Sequence, residues 1–478
     1  MSEVDTDVII IGAGIAGLNA ASTLHSKGLK SLILEARPRI GGRVYTKRDT
    51  VTGNHYDLGA SWFHSTMENP IFDKFTNNWY SNSQIESAKY DDNNVGIIIN
   101  SETGSLPSGI NVGAIVDEMK YYSSNLKDDI SLHNCAIEYF KTKQHRLSRD
   151  EIKYSTALFK FAELLNGCDW DTIGSKFSYG PFNGRDAFNT IGYDKVIEKI
   201  IEGYPNDNVL LNKVVKSVEK IQVGKADETI IKVTNADGSI YKSKYLIVTI
   251  PLGVLKLSID KTNEEGAITF NPPLPKPITD NFAKTKFLPL AKVIVEFDKA
   301  FWPDNDKFLV LSVPNDDELD ITKTYETVKE FGNYTDKENV KAFDFPCLVS
   351  NFNSVRKIPA LMFLLPSQPA YQIENASDPE KYGYDLIKPI ISKIVGKDIE
   401  IPEPKLILTT SWGNDPYSRG AISTCAPGDK FVNDALIDGF GSIRFAGEGP
   451  VYQGHSCAHG AYISGEREAN YIIEKLSK

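Results

Sequence analysis

Asp7-Val-Ile-Ile-Ile-Gly-Ala-Gly-Ile-Ala-Gly17 stands almost at the start of the chain and decides how it folds. The β-branched run to Ile11 predicts a buried parallel strand. It feeds a G-x-G-x-x-G turn, Gly12 to Gly17. Ile15, Leu18, Ala21 and Leu24 then recur at helical spacing, with Gly28 as the stop. Ser31 to Leu34 predicts a second strand, which ends on Glu35. The three glycines serve different ends. Gly12 permits the tight turn, Gly14 lets a pyrophosphate approach the backbone, and Gly17 lets helix and strand pack closely. The helix N-terminus offers N–H groups to phosphate, and Glu35 can accept hydrogen bonds from ribose hydroxyls. The turn alone is a weak sign. Strand, helix, second strand and terminal acid together predict a dinucleotide site, for NAD or FAD.

The rest of the chain sets bounds on what that site serves. Its 478 residues, 41% hydrophobic and 24% charged, are ordinary globular material and enough for two or three domains. The 53 Lys and Arg against 63 Asp and Glu leave a net charge of −10 without any basic run, which argues against nucleic acid as a partner. No apolar stretch is long enough to predict a membrane span, and Met1 to Asp7 lacks the basic start of a secretory leader. Cys135, Cys168, Cys347, Cys425 and Cys457 are scattered without a C-x-x-C pair and read as reduced thiols of a cytoplasmic protein.

Directly after Glu35 comes Arg37-Pro-Arg-Ile-Gly-Gly-Arg43, which brings bare backbone and a guanidinium toward the same pyrophosphate. Tyr56-Asp-Leu-Gly-Ala-Ser-Trp62 follows. Further on stand Tyr245-Leu-Ile-Val-Thr-Ile-Pro251, Trp412-Gly-Asn-Asp-Pro-Tyr-Ser-Arg-Gly420, Arg444-Phe-Ala-Gly-Glu448 and Gly460-Ala-Tyr-Ile-Ser-Gly465. In this order the blocks resemble the FAD-dependent amine oxidase family of monoamine and polyamine oxidases. Ala20 to His25, Gly59 to Trp62 and Asp415 to Ala421 are most similar to yeast polyamine oxidases. A fungal corticosteroid-binding protein also resembles this family.

The resemblance implies an α/β protein, α+β overall. A Rossmann-type FAD-binding domain would be assembled from residues 1–75, 189–285 and 405–478, with a mixed-sheet and helical substrate domain inserted as 76–188 and 286–404. Val214 to Ile221, Ile230 to Val233 and the Asp237-Gly238 turn predict a small meander, and Lys292 to Phe297 and Pro359 to Leu365 predict strands. Ile152 to Leu165 predicts a helix with Tyr154, Leu158, Phe161 and Leu165 in phase, and Asp304 to Asp344 predicts long surface loops.

By the same resemblance FAD would be held by Gly12, Gly14, Ala16, Gly17, Glu35, Arg43, Gly59, Ala60, Ser61, Trp62, Val215, Trp412, Glu448, Cys457 and Ala458, with Tyr417 packed nearby. Ala421 stands where monoamine oxidases attach flavin through cysteine, so the cofactor would be non-covalent. Lys292 matches the family lysine near flavin N5, and its apolar frame, Leu288 to Ala291 before and Val293 to Val295 after, would deny it solvent. His64 matches a histidine of the polyamine oxidase tunnel.

The substrate-facing positions depart from the family. Ile422 and Cys457 stand where many amine oxidases have aromatic rings, and Leu165, Asp186 and His459 replace other tunnel residues. Asp186, within Asn183-Gly-Arg-Asp-Ala-Phe188, is the expected partner of a remote ammonium. His455-Ser-Cys-Ala-His459 lacks a supporting ligand cluster, so no metal is expected. The expectation is oxidation of a spermine-like amine, with O2 as acceptor. The alternative is a flavin-fold protein that binds an apolar ligand such as a steroid, with weak or lost catalysis.

Overall fold

Strand Thr6–Ile11 lies inside an eight-stranded sheet. Ser31–Leu34 and the C-terminal half of Ile240–Val248 flank it in parallel, and Val209–Leu210 and Ile443–Phe445 continue the parallel set. Val8, Ile9 and Ile10 have no exposed surface, as a strand covered on both faces requires. The N-terminal half of Ile240–Val248 pairs antiparallel with Thr229–Asn235, which pairs in turn with Val215–Gln222. One strand thereby joins the Rossmann-type sheet to the meander. The structure, a computed structural model, describes residues 4–76, 87–176, 178, 184–223, 229–327, 334, 338–429 and 434–477; Asn183 lies outside them.

Helix Ile15–Ser26 and the last helix, Ala458–Leu476, cover one face of this sheet and share its core. They come so close that a Cβ on Gly465 would lie 2.1 Å from the Ala16 carbonyl oxygen. A second, six-stranded sheet runs in the order Leu406–Thr409, Ala291–Glu296, Ala360–Leu365, Cys347–Asn351, Lys307–Val310 and Val95–Ile98. Helices Ser367–Glu374 and Pro379–Val395 pack on it, while Val112–Ser124, Leu132–Lys143 and Arg149–Phe159 form a separate helical cluster. The fold is therefore mixed α/β with a Rossmann-like dinucleotide unit.

Three expectations need correction. Leu406–Thr409, placed with the flavin domain by the boundary at 405, pairs instead with Val293 to Glu296 of the second sheet. The helix expected over Ile152 to Leu165 ends at Phe159, because hydrogen bonds from Phe161, Glu163 and Leu164 reach back only three residues. That tightening turns Phe161 and Leu164 into the core with Leu311 and leaves Leu165 47% exposed. Lys307–Val310, inside the expected loop region, is a strand held by Cys347–Ser350 on one side and Val95–Ile98 on the other. Its four residues are too short a run for periodicity to mark.

Among the described residues no helix is long and apolar enough to cross a membrane. All five cysteines are buried as free thiols.

Candidate active site

The C-terminal ends of the parallel strands open onto a cavity that is partly continuous with solvent. Its lining runs from Gly12, Gly14 and Glu35 past Arg43 and Gly59 to Lys292 and Leu364 of the second sheet, an elongated path of the kind a dinucleotide follows. Two helix N-termini face it: Gly14 with Ile15 and Ala16, and Cys457 with Ala458. Neither has a side-chain cap, so their leading N–H groups are turned toward whatever the cavity holds. A Cβ on Gly14 would meet no atom within 4 Å, which places open space over the phosphate turn.

The polar groups along the cavity are preorganised by one another. Glu35 accepts hydrogen bonds from Ala13 N–H (2.7 Å) and Arg37 N–H (2.9 Å), and each carboxylate oxygen keeps a lone pair for a ribose hydroxyl. Arg43 donates to the Ala421 carbonyl (2.9 Å) and to Glu448 Oε1 (3.2 Å), while Ser423 Oγ donates to Glu448 Oε2 (2.6 Å). Burial works against the Glu448 charge, but Arg43, His455 and Ser423 outweigh it and hold the carboxyl below its ordinary range. Trp412 Nε1 donates to the Leu58 carbonyl (3.0 Å), which pins the indole against the wall.

Lys292 points into this cavity from the second sheet and is only 6% exposed. Its Nζ donates to Asp57 O (2.9 Å), to Ser61 Oγ (2.6 Å) and to Gly59 O, and lies 5.8 Å from the centre of the Trp62 ring. The three donors of an ammonium are thus matched by three acceptors. Burial brings its pKa down to about 7, with Asp57 opposing that fall and Arg356 adding to it. A lysine poised there can hold a proton or release it near neutrality.

Near the same end, Trp62, His64, Leu290, Leu364, Ile422 and Cys457 line the cavity. His64 Nδ1 lies 2.8 Å from Asp186 Oδ2, and Ser65 N–H donates to Asp186 Oδ1 (3.0 Å). Burial would raise the Asp186 pKa, yet these two hydrogen bonds bring it below the usual carboxylate value. The Cys457 thiol is pushed up to about 12 by burial and is no nucleophile.

Of the residues singled out from sequence, Gly12, Gly14, Ala16, Glu35, Arg43, Gly59, Ala60, Ser61, Trp62, His64, Val215, Lys292, Trp412, Tyr417, Ile422, Glu448, Cys457 and Ala458 line the one cavity. Gly17, Leu165, Asp186 and His459 do not. Gly17 sits behind the turn, where a Cβ would be 2.1 Å from the Gly12 carbonyl oxygen. Leu165 is carried outward by the broken helix, and Asp186 is engaged with His64. His459 is buried against Gly454, and burial lowers its pKa to about 4. Leu290 and Leu364 stand out in the sequence only as members of apolar runs and Ser423 not at all, and Arg356 is one arginine among ordinary strand and helix residues. Among the described residues no group of His, Cys, Asp and Glu converges as metal ligands.

Uncapped helix N-termini, an acid with lone pairs left for a ribose, open space over Gly14 and a buried arginine–glutamate pair fit FAD, and together they define a flavin-dependent oxidoreductase. A family profile described as flavin containing amine oxidoreductase matches residues 115–473, and one for an NAD(P)-binding Rossmann-like domain matches residues 10–78. The chain belongs to the flavin-containing amine oxidoreductase family. It is 28% identical to a corticosteroid-binding protein of Candida albicans, over 98% of this chain and 96% of that one. It is 27% identical to polyamine oxidase 4 of Oryza sativa subsp. japonica, over 98% and 89%. A lysine-specific histone demethylase 1 homolog of Arabidopsis thaliana is 26% identical over 98% of this chain, which spans only 30% of that protein. Among solved structures, cyclohexylamine oxidase from Brevibacterium oxydans superposes over 99% of the chain with a TM-score of 0.70 at 18% identity. A redesigned putrescine oxidase does so over 98% with a TM-score of 0.68 at 17% identity.

FAD is held here without a covalent bond, since Ala421 cannot form one and Cys425 lies on strand Ile422–Cys425 outside the cavity lining. Acid precipitation of the purified protein is expected to leave the yellow colour in the supernatant. Flavin carried down with the pellet would contradict this.

Proposed function

We propose that the chain oxidises polyamines of the spermine class, with residues 1–75, 189–285 and 405–478 (strand Leu406–Thr409 excepted) holding FAD and the remainder enclosing the amine. The observation that carries this reading is Lys292, buried and bound to three acceptors in a cavity whose end is apolar apart from His64. FAD, when bound, takes up a hydride equivalent from the carbon beside the amine nitrogen and passes the electrons to O2 as H2O2. The resulting imine hydrolyses to an aldehyde and a shorter amine. Leu290, Leu364 and Ile422 exclude water from the methylene chain, Lys292 fixes a proton or a water at the reacting end, and the Asp186-oriented His64 faces the amine. The rice polyamine oxidases, similar along most of their length, support the substrate class.

A C–H bond beside nitrogen yields hydride only when the nitrogen lone pair is free. Aliphatic amines ionise near 10.4, so kcat/KM for spermine is expected to climb as pH rises above 7. Asp186→Asn, which weakens the hold on His64, is expected to lower kcat/KM about tenfold (about 1.4 kcal/mol) for spermine and for an amine with an uncharged tail alike. Parent-like kcat/KM for both amines would mean that the Asp186 contact does not orient His64 for the reaction.

The second reading, an apolar-ligand carrier, is favoured by Ile422 and Cys457 in place of an aromatic cage, by Leu290 and Leu364 beside them, and by the similarity to the Candida protein. One experiment separates them. Holoprotein is mixed without oxygen with spermine, an acetylated polyamine and a monoamine, and flavin bleaching is followed; a parallel sample is titrated with labelled corticosterone. Bleaching by a polyamine supports the oxidase. A flavin that no amine reduces at any pH, together with saturable steroid binding, replaces it with the carrier.

A further inference from the structure

Arg356 closes the short helix Phe352–Arg356 that follows strand Cys347–Asn351 of the second sheet, and its side chain is only 1% exposed. Its guanidinium reaches across to the flavin-binding part of the chain. Nη1 donates to His55 O (3.0 Å), and Nη2 donates to Asn189 O (2.6 Å) and to Asp57 Oδ2 (2.5 Å). The fork lies against the rings of Phe188 and Phe352, 4.8 and 5.1 Å from their centres. Asp57 is fully buried, and its other oxygen accepts from Thr46 Oγ1 (2.6 Å) and Tyr193 N–H (3.0 Å). Its own carbonyl is one of the three acceptors around Lys292 Nζ, and Gly59 and Ser61, the other two, follow in the same loop.

An ion pair with both partners buried costs desolvation, and apolar residues of similar volume often serve stability equally well. A role beyond stability is therefore worth seeking, and the connectivity supplies one. We propose that the Arg356–Asp57 pair is a positioning device for Lys292, fixing the loop from Asp57 to Ser61 so that its acceptors hold the ammonium at the reacting end of the cavity. The inference rests on the proposed part of Lys292 in amine oxidation.

The two members act on Lys292 with opposite signs, which gives the device a signature. The charged and titratable groups on the surrounding elements are His55 and Asp57 on their strand, the Arg48–Asp194 pair beside it, Arg356, Glu296 on the lysine's own strand, Glu374 under Gly413 and Asn414, and the His64–Asp186 and Arg43–Glu448 pairs across the cavity. Beyond burial itself, Asp57 raises the Lys292 pKa and Arg356, to a smaller extent, lowers it. Arg356→Met should therefore move the lysine ionisation toward alkaline pH by about half a unit and Asp57→Asn toward acid by about one unit. Arg356→Lys keeps the charge and should leave it near the parent value.

The test is a pH titration of the visible flavin spectrum of the resting holoenzyme, without amine, alongside the FAD dissociation constant. Lys292→Met serves as the baseline that identifies the lysine step. Opposite shifts in the two charge-removing variants, no shift in Arg356→Lys and an FAD affinity within about threefold of the parent support the positioning role. Shifts of one sign, or none with intact FAD binding, overturn it. Should either single variant fail to fold, the Asp57→Asn/Arg356→Met double variant, which buries no unpaired charge, decides. Its lysine step must fall below the parent's, because the Asp57 influence is the larger; an unchanged step overturns the proposal. If the parent itself lacks a step that Lys292→Met removes, the reading of Lys292 is what fails.

Discussion

Lys292→Met is expected to keep FAD bound and to slow oxidation of amine or reoxidation of reduced flavin at least tenfold, about 1.4 kcal/mol of barrier. The site explains why the side chain is replaceable in the fold yet not in the reaction. Methionine matches the length of the stem and packs beside Trp62, while the acceptors Asp57 O, Gly59 O and Ser61 Oγ lose their donor. Stopped-flow measurement of both half-reactions, with FAD content and melting temperature recorded alongside, separates chemistry from folding. Parent-like rates in both halves would reduce Lys292 to a structural residue. Stability against pH gives an independent check. A lysine brought from 10.5 in the unfolded chain to about 7 in the fold binds fewer protons in the native state between those values, so its contribution to stability improves as pH rises through that window. The parent should therefore gain on Lys292→Met in melting temperature between pH 7 and pH 10. A constant difference would mean that the lysine is not held near neutrality.

The cofactor half of this site was legible in the sequence because its physics is local. Gly12, Gly14 and Glu35 lie on one strand–turn–helix–strand unit, and backbone needs of that kind leave glycines and a terminal acid at fixed spacing. Lys292 was legible because a lysine inside an apolar strand run is an anomaly that burial explains. The proposed substrate half obeys no such spacing. His64 and Asp186 are 122 residues apart and meet only through the pairing of Trp62–Phe63 with Ala187–Asn189. Leu165 falls outside the expected face because helical phase was carried through Lys160 and Phe161, where the hydrogen bonds shorten from four residues to three. Arg356 left no trace, since its partners are two backbone carbonyls and one distant carboxylate.

Two glycines of one turn should fail in opposite ways. At Gly17 an added methyl would stand 2.1 Å from the Gly12 carbonyl oxygen and 3.1 Å from Thr249 Oγ1. The Gly12 backbone cannot retreat, because its φ of 103° is a conformation that belongs to glycine and its N–H is bonded to Leu34 O at 2.8 Å. Gly17→Ala must therefore push helix Ile15–Ser26 off the strand, at a cost of about 3 kcal/mol, the upper end for overpacking. At Gly14 the backbone has φ −75°, open to any residue, and a methyl meets nothing within 4 Å because it points into the space over the turn. Gly14→Ala should leave the apoprotein's melting temperature almost unchanged while weakening FAD binding by about a hundredfold, roughly 2.7 kcal/mol, as the methyl occupies the path of the pyrophosphate. Melting of the apoproteins and titration with FAD, followed by quenching of flavin fluorescence, measure both quantities. Parent-like FAD affinity in Gly14→Ala would mean that the cofactor does not cross that turn. A Gly17→Ala apoprotein as stable as the parent would mean that helix and strand are not packed to contact there.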